Sequence, residues 1–356
     1  MERLQKLQSA LETSKVDAML ISVPENRRYL SGFTGSAGVL VVGVNQAFLI
    51  TDFRYWEQAT AEAAGFDLYK QGSDLHQSIA ELVIAQGWHA LGFESEGLTY
   101  DEYQKLRALL PDTIVLKPLP GLVRKQRAIK SQAEIELLAE AAHITDRAWE
   151  QTLTLIRPGV REDEVALEFD YQLRRNGAEG SAFTTIVASG QRAALPHGVA
   201  SAKVIETGDL VILDGGARYR GYHADLTRTV VVGKATPKQR EIYQIVLEAQ
   251  LLALNALQAG LTGRQVDAVA RDYIKARGYG EYFGHGLGHS VGLAIHENPR
   301  LSPTEEAIIP VGATITVEPG IYLPDWGGVR IEDLVAVGRA GIRNLTGSPK
   351  DDLIEV

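Results

Sequence analysis

Three histidines, His285, His289 and His296, fall inside the stretch "GHGLGHSVGLAIHE", interleaved with glycines. His285 and His289 are four apart, the spacing at which two imidazoles on one helix face share a metal ion. The glycines speak against a continuous helix. The residues alone therefore leave three readings open: three ligands of one ion, one ligand with two helpers, or polar residues in a loop. Four carboxylates sharpen the question. "GDLVILDGG" (208–216) aligns with "GATITVEPG" (312–320), setting Asp214 opposite Glu318. "HAD" (223–225) aligns with "RIE" (330–332), setting Asp225 opposite Glu332. One buried Asp reads as an ion pair or a turn cap. Four carboxylates placed symmetrically repel one another severely unless cations lie between them. A pair of divalent ions bridged by carboxylates resolves that repulsion. With no cysteine in the chain, the ligands are oxygen-rich with one neutral imidazole, a set that favours Mn²⁺, Co²⁺ or Fe²⁺ and leaves Zn²⁺ possible. Two such ions about 3–4 Å apart hold a hydroxide and polarise a carbonyl, so the chemistry implied is hydrolysis.

Elements must carry these groups to one place. Asp214 ends the apolar run "LVILD", which reads as a fully buried strand. Residues two apart on a strand share a face, so His223 is expected to point with Asp225, and Arg330 with Glu332. His223 then reads as a support for Asp225, and Arg330 as neutralising Glu332. Ahead of each carboxylate pair stands a repeated helix: "PGVREDEVALEFDYQLRRNG" (158–177) aligns without gaps on "AGLTGRQVDAVARDYIKARG" (259–278). Gly177 and Gly278 close the two helices. A duplicated fold explains both alignments. Upstream, Ser131 and Glu134 form a capping box that opens a long helix running to about residue 156. The first 120 residues alternate helical patterns (2–11, 54–63, 75–86, 100–109) with strand-like runs (18–22, "VLVVGV", "AFLITD", "HALGFE"), the mark of a small α/β domain. The Pro- and Gly-containing segment "KPLPGLVRKQRAIKSQAEIELL" marks the boundary, which places the domains at 1–122 and 123–356.

The 356 residues carry a net charge of -9, which speaks against nucleic acid or an anionic membrane as partner. The first twenty residues carry charges and no apolar core, and no apolar run nears the roughly 20 residues that span a bilayer. A cytoplasmic protein is the expectation.

The motifs "LPHG", "ILDGGARYRGYHADLTRT", "GHGLGHSVGLAIHE", "TVEPGIY" and "VRIED", in this order from Leu195 to Asp333, resemble those of the pita-bread metallopeptidases, in the Xaa-Pro branch that holds aminopeptidase P and prolidase. "ENRRYLSGFTGSAG" and "TDFRYWEQA" resemble that branch's N-terminal domain, which methionine aminopeptidases usually lack. The resemblance implies a creatinase-like α/β N-terminal domain followed by an α+β pita-bread (creatinase/aminopeptidase) catalytic domain with pseudo-twofold duplication. It implies two divalent metal ions per subunit, Mn²⁺ first, with Asp214, Asp225, His289, Glu318 and Glu332 as ligands and Asp225 and Glu332 bridging. Glu318 is further implied to take the proton of the attacking water. His197 is implied to stabilise the oxyanion or relay a proton, His285 and His296 to line the substrate pocket, with His296 also catalytic, and Arg330 to orient the substrate.

On their own, His197 in "LPHG" says only loop, and His76, His89 and His143 have no partner pattern. The expected reaction is cleavage of Xaa-Pro bonds in small proline-containing peptides, by a homodimer or homotetramer. Aminopeptidase P is preferred to a prolidase confined to dipeptides, on "FTGSAG" and "TDFRYW". A non-catalytic peptide-binding protein and a creatinase-like amidinohydrolase are weighed against complete ligand positions. Tyr55 or Trp56 either reaches a neighbouring subunit's site or packs the small domain.

Overall fold

The structure, a computed structural model, describes residues 2–356. Contacts divide the chain into two compact units, Met1–Arg127 and Ala128–Val356. The first is built on a six-stranded mixed sheet of β1 (Ala18–Ile21), β2 (Val39–Gly43), β3 (Ala47–Thr51), β4 (Asp67–Lys70), β5 (Ala90–Phe93) and β6 (Val115–Pro118). Its order is β4-β3-β2-β1-β5-β6. Six helices accompany it, α1 (Glu2–Ser14), α2 (Pro24–Ser31), α3 (Trp56–Glu62), α4 (Leu75–Ala85), α5 (Tyr100–Leu109) and α6 (Leu122–Arg127). The unit reaches a few residues past 122 because α6 stays with it: Val123 is buried and Arg127 Nη1 donates to Asn26 Oδ1 at 2.7 Å. Tyr55 and Trp56 are engaged inside this unit. The Tyr55 hydroxyl meets Ser36 Oγ at 2.6 Å and its ring stands edge-on to Phe33. Trp56 Nε1 donates to Thr51 O, and Lys70 Nζ sits over its ring.

The second unit is written twice. Its first half runs α7 (Gln132–Leu153), α8 (Glu162–Arg175), β7 (Gly180–Ser181), β8 (Ile186–Ser189), β9 (Leu210–Gly215), β10 (Ala217–Tyr219), β11 (Tyr222–His223) and β12 (Leu226–Val231). Its second half runs α9 (Pro237–Ala256), α10 (Gly263–Ala276), β13 (Gly288–Ser290), β14 (Glu297–Leu301), β15 (Thr314–Val317), β16 (Gly320–Leu323), β17 (Gly327–Arg330), β18 (Asp333–Val337) and β19 (Ile342–Asn344), with β20 (Ile354–Glu355) closing the chain. The Ser131–Glu134 capping box opens α7, which ends at Leu153 rather than near 156. The helices α8 and α10 occupy the aligned positions residue for residue. The glycines before them, Gly159 (φ 92°) and Gly260 (φ 93°), and those after, Gly177 (φ 106°) and Gly278 (φ 88°), share left-handed conformations that side chains avoid.

Strand β9 pairs with β8 and β12, as β15 pairs with β13 and β18. These make sheets ordered β20-β12-β9-β8 and β14-β13-β15-β18-β19. The intervening strands leave for other sheets: β10 and β11 join β7, while β16 and β17 pair with each other. Each half therefore changes sheet twice. The expectation that "HAD" and "RIE" lie on single strand faces is corrected here. His223 ends β11 and Asp225 precedes β12; Arg330 ends β17 and Glu332 precedes β18. The ladder breaks because the chain is handed from one sheet to another at those residues.

Candidate metal centre

Every expected carboxylate ligand sits at or beside such a change of sheet. Asp214 is next to last in β9, whose six residues are all buried, as the run "LVILD" requires. Glu318 follows β15, and Asp225 and Glu332 fill the two breaks described above. Strand ends that diverge leave side chains of both neighbours converging on one space. One carboxylate oxygen each from Asp214, Asp225 and Glu332 lies within 4.8 Å of the others. His289, on β13 and not on a helix, brings Nε2 to 3.6 Å from Asp225 Oδ2 and 3.4 Å from Glu318 Oε1.

The electrostatics of this cluster call for cations. Burial, then the charges of Glu332, Asp214 and Glu318, push the Asp225 carboxyl well above the ordinary range. Burial, Glu318 and Asp214 do the same to Glu332. Burial pushes Glu318 up to about 7, although Arg330 pulls it back. Asp214 is raised by burial, against the pull of Arg330. Asp214 Oδ1 and Glu332 Oε1 are buried and have no hydrogen-bond partner among the described residues. Leaving such atoms bare costs about 1–3 kcal/mol or more each. The His289 ring adds a third observation. Its Nδ1 lies 3.1 Å from Ser290 O and so carries the proton, and burial drives its pKa down to about 4. Its Nε2 therefore presents a lone pair to two carboxylate oxygens, a repulsive arrangement that a shared cation turns into a binding site. These residues fit divalent metal.

The cluster forms one wall of a cavity of about 570 Å³. His197, His285, His296 and Arg330 all line it, with Phe183, Ile186, Pro196, Ile295 and Leu301 as apolar neighbours. His296 stands edge-on to His289, with ring centroids 4.5 Å apart, and both burial and Arg300 lower its pKa. His285 is on the wall but fully engaged: Nδ1 donates to Gly286 O at 2.8 Å and Nε2 accepts from the Tyr322 hydroxyl at 2.9 Å. That tautomer agrees with a pKa lowered to about 4 by burial. His223 turns its ring Nδ1 to Gly292 O at 3.2 Å, and it does not line the cavity.

Arg330 departs from both of its expected partners. Its Nη2 donates to Asp214 Oδ2 at 2.6 Å, not to Glu332. Nη1 donates to Tyr322 Oη and Pro196 O, and Nε to Thr227 Oγ1. The guanidinium is buried and committed to the protein, which leaves little of it for a substrate. Thr227 in turn donates to Glu332 Oε2 at 2.6 Å, and Thr316 donates to Glu318 Oε1 at 3.1 Å. Tyr322 and Thr227 stand inside the quoted motifs, yet their contacts across sheets have no local signature. Arg300 was missed altogether. Its side chain lines the cavity and is exposed. Among the described residues its guanidinium has no ion-pair or hydrogen-bond partner; its backbone pairs with His289 across β13 and β14 and its N–H donates to Glu305.

Comparison with known proteins places this geometry. Residues 136–339 match the model of metallopeptidase family M24, and residues 3–129 that of the creatinase/prolidase N-terminal domain. The structure of an Xaa-Pro dipeptidase from Bacillus anthracis superposes with a TM-score of 0.97 at 48% identity, covering 100% of this chain and 99% of that one. An X-Pro aminopeptidase from Thermotoga maritima superposes with a TM-score of 0.90 at 39% identity, over 96% and 98% of the two chains. An Xaa-Pro dipeptidase of Pyrococcus horikoshii is 40% identical over 98% of this chain and 98% of its own length. Among the described residues no helix is long and apolar enough to cross a membrane.

Proposed function

This chain belongs to metallopeptidase family M24, a creatinase N-terminal domain joined to a pita-bread catalytic domain, and from that premise we propose that it is an Xaa-Pro dipeptidase using two divalent metal ions, Mn²⁺ first. Asp214, Asp225, His289, Glu318 and Glu332 would hold the ions. When bound, such ions supply Lewis acidity toward a carbonyl oxygen and make water nucleophilic near neutral pH.

The chain's own groups do the rest. Glu318, on the cavity wall beside His289, is placed to take the proton of the attacking water and pass it to the departing prolyl nitrogen. His197 and His296 on the cavity wall donate to the carbonyl oxygen as negative charge grows on it. His285, with both ring nitrogens engaged, serves as a fixed wall. Arg330 holds Asp214 and Tyr322 in place. An Xaa-Pro bond lacks the N–H by which an extended peptide is usually gripped, so the site reads the ring, against Phe183, Ile186, Ile295 and Leu301, and the charge beyond it.

The observation that carries the dipeptidase form is Arg300. A free guanidinium on the wall of a cavity whose metal cluster is acidic suits the α-carboxylate of a C-terminal proline. A longer peptide has a neutral amide there. The dipeptidase names of two of the relatives support the same choice and move the preference away from an aminopeptidase. Assays of Xaa-Pro against Xaa-Pro-Xaa peptides test it: turnover confined to dipeptides is expected, and equal kcat/KM on tripeptides refutes it.

A further inference from the structure

Two buried carboxylates outside the acid cluster hold the loops that carry cavity histidines. Glu162 opens α8 and is fully buried. Its Oε1 accepts from Ser189 N and Oγ at 2.7 and 2.8 Å. Its Oε2 accepts from Ser201 N and Oγ at 3.2 and 2.7 Å and pairs with Arg192. Ser189 ends β8, and Ser201 follows His197 on the return of the same segment. One carboxylate thus ties both ends of 189–201, and Arg192 Nη2 reaches on to Val199 O at 2.8 Å.

The second half does the same thing differently. On α10 the place of Glu162 is taken by Gly263, where a Cβ would lie 2.0 Å from Arg300 O. No glutamate fits. The carboxylate stands one turn further on, at Asp267, which is also buried. Asp267 Oδ1 accepts from Leu287 N at 3.0 Å. Both its oxygens bind Arg271, at 2.7 and 2.8 Å. Arg271 then donates to Phe283 O at 2.8 Å and His285 O at 2.7 Å. The repeated helix therefore clamps a different histidine loop in each half. A buried charge adds little stability over a well-packed apolar group, so what these clamps contribute is position.

We propose that Glu162 and Asp267 are positioning residues that fix His197 and His285, respectively, against the cavity. This rests on the peptidase reading of the cavity. In the metal-loaded protein, Glu162→Gln is expected to lower kcat roughly 10–100-fold, as misplacement of a reacting group by about 1 Å does, with KM and bound metal little changed. On a His197→Ala background the same substitution changes kcat by no more than about twofold, whereas on a His285→Ala background its full effect remains. Because His285 is a wall and not a donor to the substrate, Asp267→Asn is expected to raise KM rather than lower kcat, an effect that vanishes on a His285→Ala background and remains on His197→Ala. Hydrogen exchange gives a readout apart from turnover: Glu162→Gln speeds exchange within 190–200 but not 283–289, and Asp267→Asn does the opposite. If Glu162→Gln folds poorly, Ser201→Ala removes one tie, leaves the charge paired with Arg192, and repeats the pattern at smaller amplitude. Unchanged exchange in the matched loop, or a full Glu162→Gln loss persisting on His197→Ala, overturns the proposal. Wild-type turnover in His197→Ala alone removes His197 from the reaction and overturns the Glu162 proposal, whereas absence of Xaa-Pro turnover in the unaltered metal-loaded protein is a failure of the peptidase reading and shows before Glu162 is altered.

Discussion

Arg330 Nη2 lies 2.6 Å from Asp214 Oδ2, and both residues are buried. The pair joins the last residue of β17 in one half to the end of β9 in the other, so the duplicated halves are locked together at the metal cluster. Removing one member of a buried pair costs about 3–5 kcal/mol. Arg330→Met is expected to destabilise the metal-free protein by about that amount and the Mn²⁺-loaded protein by less, because bound cations compensate Asp214. Denaturation with and without chelator checks this; equal losses in both states contradict it.

Stability should depend on pH in opposite senses with and without metal. Glu318 has its carboxyl raised from the usual 4.5 to about 7, and Asp225 and Glu332 are raised well above their usual values. A raised acid favours the fold while protonated: that contribution is full below the unfolded pKa and lost as pH rises through the folded one. The chelated protein should therefore lose Tm between about pH 4.5 and about pH 7 on account of Glu318, with Asp225 and Glu332 adding losses of the same sign as pH rises. The metal-loaded protein, with its ligands ionised and compensated, should instead lose Tm toward acid as protons displace the ions. A chelated protein whose Tm is flat or rising across neutral pH would falsify the assignment.

Arg300→Met should raise KM for Xaa-Pro dipeptides roughly 10–100-fold, the loss of one hydrogen bond to a charged group, with a smaller change in kcat. A fall in kcat at unchanged KM would place Arg300 elsewhere in the cycle.

Asp225→Asn should lose bound metal and activity together, because the amide offers one oxygen where the cluster uses a charged carboxylate. Metal content by elemental analysis beside turnover is the measurement; full occupancy and full activity would sink the dinuclear reading.

Gly216 stands where β9 hands over to β10, and a Cβ there would lie 1.8 Å from Ala224 O. Gly216→Ala should cost about 1–3 kcal/mol or more and weaken metal binding through the neighbouring Asp225. A variant with wild-type Tm and metal affinity would show that the close approach is not required.

Much of this was legible in the chain. Repeats survive in sequence because each half must rebuild the same turns, so Gly159 with Gly260 and Gly177 with Gly278 mark α8 and α10 at their true positions. Two further alignments, at slightly longer offsets, pair Asp214 with Glu318 and Asp225 with Glu332. Periodicity and capping likewise found α7 and most strands of the first unit. The strand-face reading failed at His223 with Asp225 and at Arg330 with Glu332, because period-two logic holds only within one sheet and the chain changes sheet at those residues.

By itself, then, the sequence determined which residues carry charge to the turns and that there are two matching sets of them. Local period, glycine conformations and a duplication are properties of neighbours along the chain. Only the tertiary structure decided which side chains meet: that Arg330 holds Asp214 and not Glu332, that both nitrogens of His285 are engaged, and that the Arg300 guanidinium stands on the cavity wall without a partner among the described residues. Those meetings depend on strand register and on where one sheet gives way to the next, set by the packing of strands far apart in sequence.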